Sequence, residues 1–206
     1  NMSADVGTLV VLDGPCLTLT RGCSPPVLNV VGQAQLVLSQ DLIIGADTQV
    51  EVNSSQPVQL AGDFDNRSRL PGQFDWTSGT LLLDGVGQAF EVAGVDRGAT
   101  ISGFAANYAI GEIEVAGSSA VVFENAIDND FAPDDPCAEV LYVETFVLRA
   151  EATITLDNTI IYYQHLVDEG ATVNLLGCSV LAQVTQLAGD FDGDGDVDLD
   201  DHTVFA

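Results

Sequence analysis

A run of aspartates in the last part of the sequence has the spacing of a calcium-binding loop. Residues 190–201 read DFDGDGDVDLDD. Carboxylates fall at positions 1, 3, 5, 9 and 12 of such a loop, and these residues are Asp190, Asp192, Asp194, Asp198 and Asp201. Gly195 stands where the loop turns sharply, and Asp196 can offer its backbone carbonyl. Calcium takes about six to eight oxygen ligands, so the spacing predicts calcium as the cofactor of this segment.

The elements that carry this loop are predicted to be β-strands almost throughout. Short apolar or alternating runs are separated by Gly, Asp, Asn and Ser, as in TLVVLDG at 8–14, CLTLTRG at 16–22, AQLVLSQ at 34–40 and TQVEVNS at 48–54. Val, Ile, Leu, Thr and aromatic residues dominate these runs, which is typical of strands. No convincing amphipathic helix precedes residue 198, so the sequence predicts an all-β fold.

Four segments share one pattern, in which an apolar strand, a short turn of small residues and an alternating strand follow one another. They are LIIGADTQVEVNS at 42–54, EIEVAGSSAVVFEN at 112–125, FVLRAEATITLDN at 146–158 and HLVDEGATVNLLG at 165–177. Comparable inward positions are predicted for Leu81, Ile101, Val121, Ile154 and Val173. With 126–138 treated as an insertion, the period is about 20 residues, which suits β-solenoid-like stacked coils. The alternative is an Ig-like or jelly-roll β-sandwich, whose hairpins recur at similar spacing.

Composition divides the chain into three predicted parts. Residues 1–75 form an N-terminal β module, 76–187 a β-repeat domain, and 188–206 the segment with the calcium loop. The polar stretch GDFDNRSRLPGQ at 62–73 predicts a long loop near the first boundary, with an Asp turn at its start. The run around Gly7–Leu12 is a candidate for an N-terminal strand that leaves its own sheet and is exchanged between subunits.

The charge of the chain limits its partners. The sequence has 31 acidic residues against 5 basic ones, and its formal net charge is −26. All five basic residues are arginines. Such a surface repels nucleic acid and anionic membranes, and it suits divalent cations and neutral or cationic partners. No apolar run approaches the roughly 18 residues of a membrane helix.

Four cysteines predict disulfides. They allow three pairings, and the pairs Cys16–Cys23 and Cys137–Cys178 are favoured because the first two cysteines lie within reach of one hairpin. No CxxC spacing or histidine partner indicates zinc. The even count of cysteines, the absence of lysine and the calcium loop together favour an oxidising setting, so we predict a secreted protein, extracellular or on the cell surface.

The segment GDFDGDGDVDLDDHTVFA at 189–206 resembles a type I dockerin repeat, in which the calcium loop has no leading helix, ends in Asp rather than Glu, and precedes a short helix. The resemblance implies that Asp190, Asp192, Asp194 and Asp198 are side-chain ligands, that Asp196 gives its carbonyl, and that Asp201 completes the shell. Dockerins carry two such repeats, and this sequence contains one. The stretch AEVLYVETFVLRAEATITLDNTIIYY at 138–163 is similar to bacterial secreted β-repeat proteins that end in a dockerin-like repeat. That similarity implies secretion and β architecture.

The sequence offers no complete catalytic set. Its two histidines, His165 and His202, accompany no GxSxG elbow and no partner cysteine. We therefore predict that the chain is no enzyme but an extracellular structural subunit, which joins copies of itself into a fibre or surface layer by β-strand addition. One alternative is a carbohydrate-binding or carbohydrate-active module that is attached to a larger assembly by its dockerin-like end. Another is a scaffold component whose partner is a cohesin-like protein.

Overall fold

The computed structural model of the protein describes residues 3–6, 10–12, 27–127 and 139–184. Strands make up more than half of these residues, with two short 3-10 helices and no α-helix among them. The prediction of an all-β fold is therefore confirmed. Alternating burial along the strands explains it, because side chains of successive strand residues point to opposite faces of a sheet.

The described part of the chain contains eighteen strands. They are β1 Ser3–Val6, β2 Val10–Leu12, β3 Val27–Gly32, β4 Gln35–Leu38, β5 Leu42–Ile44, β6 Gln49–Ser54, β7 Val58–Leu60, β8 Phe64–Asn66, β9 Phe74–Leu83, β10 Val86–Glu91, β11 Gly94–Val95, β12 Ile110–Val115, β13 Ala120–Glu124, β14 Glu139–Leu148, β15 Thr153–Asp157, β16 Ile160–Asp168, β17 Thr172–Leu176 and β18 Val180–Gln183. The 3-10 helices are η1 Pro71–Gln73 and η2 Ile101–Phe104.

The strands are arranged in two long sheets. Sheet A has the order β1-β4-β7-β9-β12-β14-β16-β18, and sheet B has the order β2-β5-β8-β10-β13-β15-β17. Neighbouring strands in both orders are parallel. A short third row, β3-β6, pairs beside the start of β9, and β11 adds one antiparallel pair to β14. The strands β1 and β2, near the chain's start, pair with β4 and β5 of the same chain.

The predicted repeat is correct at three of its positions. Val121 pairs with Ile154, and Ile154 pairs with Val173, so these three residues occupy one row of sheet B. Strands β13 and β15 therefore pair in the predicted register, although the predicted insertion 126–138 lies between them in the sequence.

The predicted repeat is wrong at its two earlier positions. Leu81 lies in sheet A, where it pairs with Ile113, and Ile101 lies in η2 rather than in a strand. The regular spacing fails there because residues 96–109 leave both sheets and return only at the start of β12.

The stretch 62–73 is not the long loop that its polarity predicts. Phe64–Asn66 forms β8 inside sheet B, and η1 follows before β9 begins. Phe64 is buried and stacks on Phe90 of the next strand, with ring centroids 4.6 Å apart. Burial of one such side chain contributes roughly 1.5–3 kcal/mol, which is enough to hold a short strand among polar neighbours.

The core lies between the two sheets and is built from rows of equivalent residues. We call the following set of paired residues the inner row of sheet B: Leu42, Phe64, Phe90, Phe123, Leu156 and Leu175. The three phenylalanine rings follow one another, since Phe90 and Phe123 are also in contact, with centroids 5.0 Å apart. Phe146 of sheet A meets Phe123 edge to face at 5.9 Å, which joins the two sheets. Stacked and edge-to-face pairs at these separations are favourable beyond the area they bury.

The segment between β11 and β12 covers part of the outer face of sheet A. Tyr142 of β14 donates its hydroxyl hydrogen to the Gly98 carbonyl at 2.9 Å and accepts a hydrogen bond from the Arg97 amide at 3.0 Å. Gly103 lies so close to the Tyr142 ring that a β-carbon at this position would overlap it. A second small core forms here, with Val140 and Ile160 packed beside Tyr142. The segment is therefore anchored to the sheet by both packing and hydrogen bonds.

Candidate functional site

A groove on the outer face of sheet B collects carboxylates from successive strands. It has a volume of about 200 Å³ and lies across β5, β8, β10 and β13. The acidic residues that line it are Asp41, Asp63, Asp65, Glu91 and Glu124. We call it the acidic groove.

Parallel pairing without change of register explains why the acids meet. Glu91 pairs with Glu124, and Glu124 pairs with Asp157, while Asp65 directly follows Phe64, the partner of Phe90. Neighbouring strands lie about 4.8 Å apart, so these like charges are held close together. Asp65, Glu91, Glu124 and Asp157 each follow a member of the inner row, so each points to the outer face while its neighbour points to the core.

Glu91 is the buried member of the acidic groove. Only 4% of its surface is exposed, and its carboxylate accepts hydrogen bonds from the backbone amides of Ala126 at 3.0 Å and Ile127 at 2.8 Å. Burial raises the pKa of Glu91 to about 7, with a smaller contribution from the charge of Glu124, and this outweighs the two amide hydrogen bonds, which lower it. The side chain therefore exchanges its proton near neutral pH while it stays fixed in place.

Glu124 is the more accessible member of the same pair. Its pKa is raised, first by burial and then by the charges of Asp63, Asp157 and Asp65. Its side chain is half-buried, and no hydrogen bond holds it within the part of the chain that the structure describes. Glu124 is therefore free to contact a bound molecule.

The remaining acids of the groove have structural partners. Asp41 accepts a hydrogen bond from the Asp63 amide at 2.9 Å, and Asp63 accepts one from the Ala89 amide at 2.8 Å. Asp65 pairs with the guanidinium of Arg67, which reaches it from the same strand end. These contacts hold the walls of the groove in place. Glu91 and Glu124 are therefore the pair that is best placed to act on a bound molecule.

The pair Glu91 and Glu124 can do two kinds of chemistry. A carboxyl group with a pKa near 7 beside an ionisable neighbour is suited to general acid and base catalysis. A row of carboxylates can also accept hydrogen bonds from the hydroxyl groups of a bound molecule. Among residues 27–127 and 139–184, no group of three or more His, Cys, Asp or Glu is placed to hold a metal ion.

The metal ligands predicted from the sequence lie outside the described residues. This applies to Asp190, Asp192, Asp194, Asp196, Asp198 and Asp201. It applies also to Cys16, Cys23 and Cys137. Cys178 is disulfide-bonded, and its partner lies outside the described residues. His165 is exposed on β16 opposite Thr145, away from the acidic groove.

The acidic groove was not predicted, although the sequence carries a signal for it. An apolar residue followed by an acid recurs in four strands of sheet B: Phe64-Asp65, Phe90-Glu91, Phe123-Glu124 and Leu156-Asp157. Once these strands are placed in parallel register, the recurrence stacks the acids on one face.

The chain matches no protein-family model, no curated protein and no solved structure. In the ranges that the structure describes, no helix is both long enough and apolar enough to span a bilayer.

Proposed function

We propose that this chain is an extracellular structural subunit that assembles with copies of itself into a fibre or a surface layer. The observation that supports it is the exposed edge of both sheets. Within the described residues, β17 pairs on one side only, with β15, and β18 pairs on one side only, with β16. An unpaired strand edge presents a row of N–H and C=O groups that a strand of another chain can join.

The β body of this subunit is a solenoid of stacked coils. Parallel pairing between equivalent segments supports it, since Val140 pairs with Ile160 and Ile160 with Val180. Sandwiches of the Ig-like or jelly-roll kind are built from antiparallel strands joined by hairpins. The crossing of the chain from sheet A to sheet B at each turn, as from β12 to β13 and from β14 to β15, also favours coils.

Secretion and calcium binding complete the proposal. The disulfide at Cys178 favours an oxidising compartment, because such bonds are rare in the cytosol. The aspartates of 190–201 would bind calcium and stabilise the segment 188–206, with a cohesin-like protein as a further candidate partner. Chelation is then expected to affect this segment and to leave the two sheets folded.

Electron microscopy of negatively stained protein tests the proposed function. We expect filaments or ordered layers, with a light-scattering mass that grows with protein concentration. Monodisperse single copies at high concentration, with and without calcium, would contradict it. Removal of residues 1–12, which contain β1 and β2, is expected to change the form of the polymer.

A second candidate function is a carbohydrate-binding or carbohydrate-active module. The acidic groove favours it, because glycoside hydrolysis uses two carboxyl groups, one of them with a raised pKa. Binding to a glycan array or release of reducing sugar, lost in Glu91→Gln and Glu124→Gln but kept in Glu51→Gln on β6, would support this function. Equal behaviour of all three variants would speak against it.

A further inference from the structure

We infer that copies of this chain join head to tail, with the last strands of one copy pairing with the first strands of the next. This rests on the proposed function and specifies its contact. We call β17, β18 and residues 164–168 of β16 the C-terminal edge. We call β1 and β2 the N-terminal edge.

The strand orders of the two sheets make these edges complementary. Sheet A begins with β1 and sheet B with β2, and both sheets run through the molecule in the same sequence order until β18 and β17. Both N-terminal strands are therefore at one end of the molecule and both C-terminal strands at the other. Successive strands of each sheet pair in parallel. A second copy placed beyond the C-terminal edge can therefore continue both sheets by the same parallel pairing.

Core rows reach the surface at the C-terminal edge. Leu166, Val173 and Leu175 are 37%, 36% and 52% exposed. Their paired neighbours one strand earlier, Phe146, Ile154 and Leu156, are fully buried. Among the residues that the structure describes, no neighbouring layer covers these three apolar positions, whereas such a layer covers the earlier members of their rows.

The N-terminal edge has matching positions. Val10 pairs with Leu42, and Leu12 pairs with Ile44, which are both buried in the core. Val10 and Leu12 therefore stand at the register positions of two core rows. In the joined copies, Val10 would follow Leu175 in the inner row of sheet B, because Leu42 and Leu175 belong to that same row.

The distribution of charge favours a second copy at these edges over contact elsewhere. The chain has a net charge of −26, so two copies repel each other across most of their surfaces. The strands β2, β17 and β18 contain no charged residue, and the rest of the two edges contains one acid each, Asp5 in β1 and Asp168 in β16. Natural proteins protect exposed edges with charges, prolines or bulges, and β2, β17 and β18 have neither a charged residue nor a proline.

Head-to-tail joining has a consequence for the form of the assembly. The two edges that meet are different, so the contact is heterologous, and each added copy leaves one edge of each kind unpaired. Such contacts produce open filaments unless their rotation closes a ring.

Three matched substitutions test the contact. Val173→Lys adds a charge to the C-terminal edge, and Val11→Lys adds one to the N-terminal edge. Val86→Lys makes the same change in the middle of sheet B, where the side chain is 83% exposed. We expect V86K to assemble like the unmodified protein, and each edge variant alone to lose at least about tenfold in polymer mass. Circular dichroism shows whether each variant is folded, and Asn174→Lys on the same strand replaces V173K if that variant does not fold.

A mixture of the two edge variants tests the direction of joining. V173K keeps an intact N-terminal edge, and V11K keeps an intact C-terminal edge. An equimolar mixture is therefore expected to form dimers of one copy of each variant and to grow no further, which light scattering and mass photometry can detect. Formation of dimers by either variant alone would contradict head-to-tail joining.

Other outcomes separate this inference from the proposed function. Filaments that persist unchanged in V173K and V11K overturn the contact and leave self-assembly standing. Failure of the unmodified protein to assemble at all refutes the proposed function. Polymers that form only after removal of residues 185–206 also overturn the inference, because the C-terminal edge of the full chain is then occupied by its own final segment.

Discussion

Leu156 and Leu175 are neighbours in the inner row of sheet B, yet the first is fully buried and the second is 52% exposed. The two residues are of the same type and lie in directly paired strands. They differ in what surrounds them, since Leu156 lies between β13 and β17, whereas Leu175 has β15 on one side and no described strand on the other. Burial in this protein therefore depends on the position of a strand along the sheet and not only on the apolar pattern within that strand.

The largest difference between the middle and the end of the sheets is expected on truncation of these two leucines. Leu156→Ala removes buried methyl groups and leaves a cavity, so we expect a loss of about 2–5 kcal/mol in the free energy of unfolding. Leu175→Ala is expected to cost less than about 1 kcal/mol, because its side chain already meets water. Urea unfolding at a protein concentration that excludes assembly measures both values. Equal losses would mean that another part of the chain covers Leu175.

The acidic groove provides a second comparison, between buried Glu91 and half-buried Glu124. The pKa of Glu91 is about 7 in the folded chain, compared with 4.5 for an ordinary glutamate. Between these values the folded chain holds a proton that the unfolded chain has released, so stability falls as the pH rises through this window and stays lower above it. Glu91→Gln keeps an oxygen that can accept from Ala126 and Ile127 and removes the charge.

We therefore expect Glu91→Gln to raise the free energy of unfolding at pH 8 by about 1–3 kcal/mol, since one pKa unit corresponds to about 1.4 kcal/mol. At pH 4 the variant is expected to match the unmodified protein, because Glu91 is then neutral. Denaturant unfolding at pH 4, 6 and 8 measures the effect. Glu124→Gln is the matched control, with a smaller gain at pH 8 because its side chain is more exposed. A gain that does not depend on pH would refute the burial of an ionisable Glu91.

The smallest expected effects concern the turns that lead from sheet A to sheet B. Glu151 follows β14 with a φ of 68°, and Gly170 follows β16 with a φ of 105°. Both values belong to conformations that favour glycine. Glu151→Gly is expected to stabilise the protein by up to about 1 kcal/mol, and Gly170→Ala to destabilise it by a similar amount. Thermal unfolding measures both changes, and a clear loss in Glu151→Gly would show that its side chain contributes more than its backbone costs.

Local pattern was sufficient to predict the strands and part of their pairing. The period of about 20 residues predicts one row for Val121, Ile154 and Val173, and this prediction is correct because each strand here pairs with its own equivalent further along the chain. Ile101 was misplaced because the 96–109 segment leaves the sheets, and nothing in the spacing of apolar residues marks such a departure.

The acidic groove could not be derived from any single strand. Glu91 owes its raised pKa to burial and to the charge of Glu124, which is adjacent only in the folded chain. Within its own strand, Glu91 is an ordinary acid beside a core phenylalanine. The recurrence of the same apolar-acid pair at Phe123-Glu124 becomes informative only after parallel register is assumed.

The segment 96–109 also indicates where this protein can accept new sequence. Residues Leu81 and Ile113 stay paired in sheet A although this segment departs and returns between them. Arg97 and Ala105 are exposed, and the Arg97 guanidinium donates a hydrogen bond of 2.7 Å to the Ala105 carbonyl. A peptide inserted between Ala105 and Ala106, which are both exposed, would leave the anchor of Arg97 and Gly98 on Tyr142 in place and extend an existing excursion away from the sheets. This corner is therefore suitable for displaying a foreign epitope or a tag.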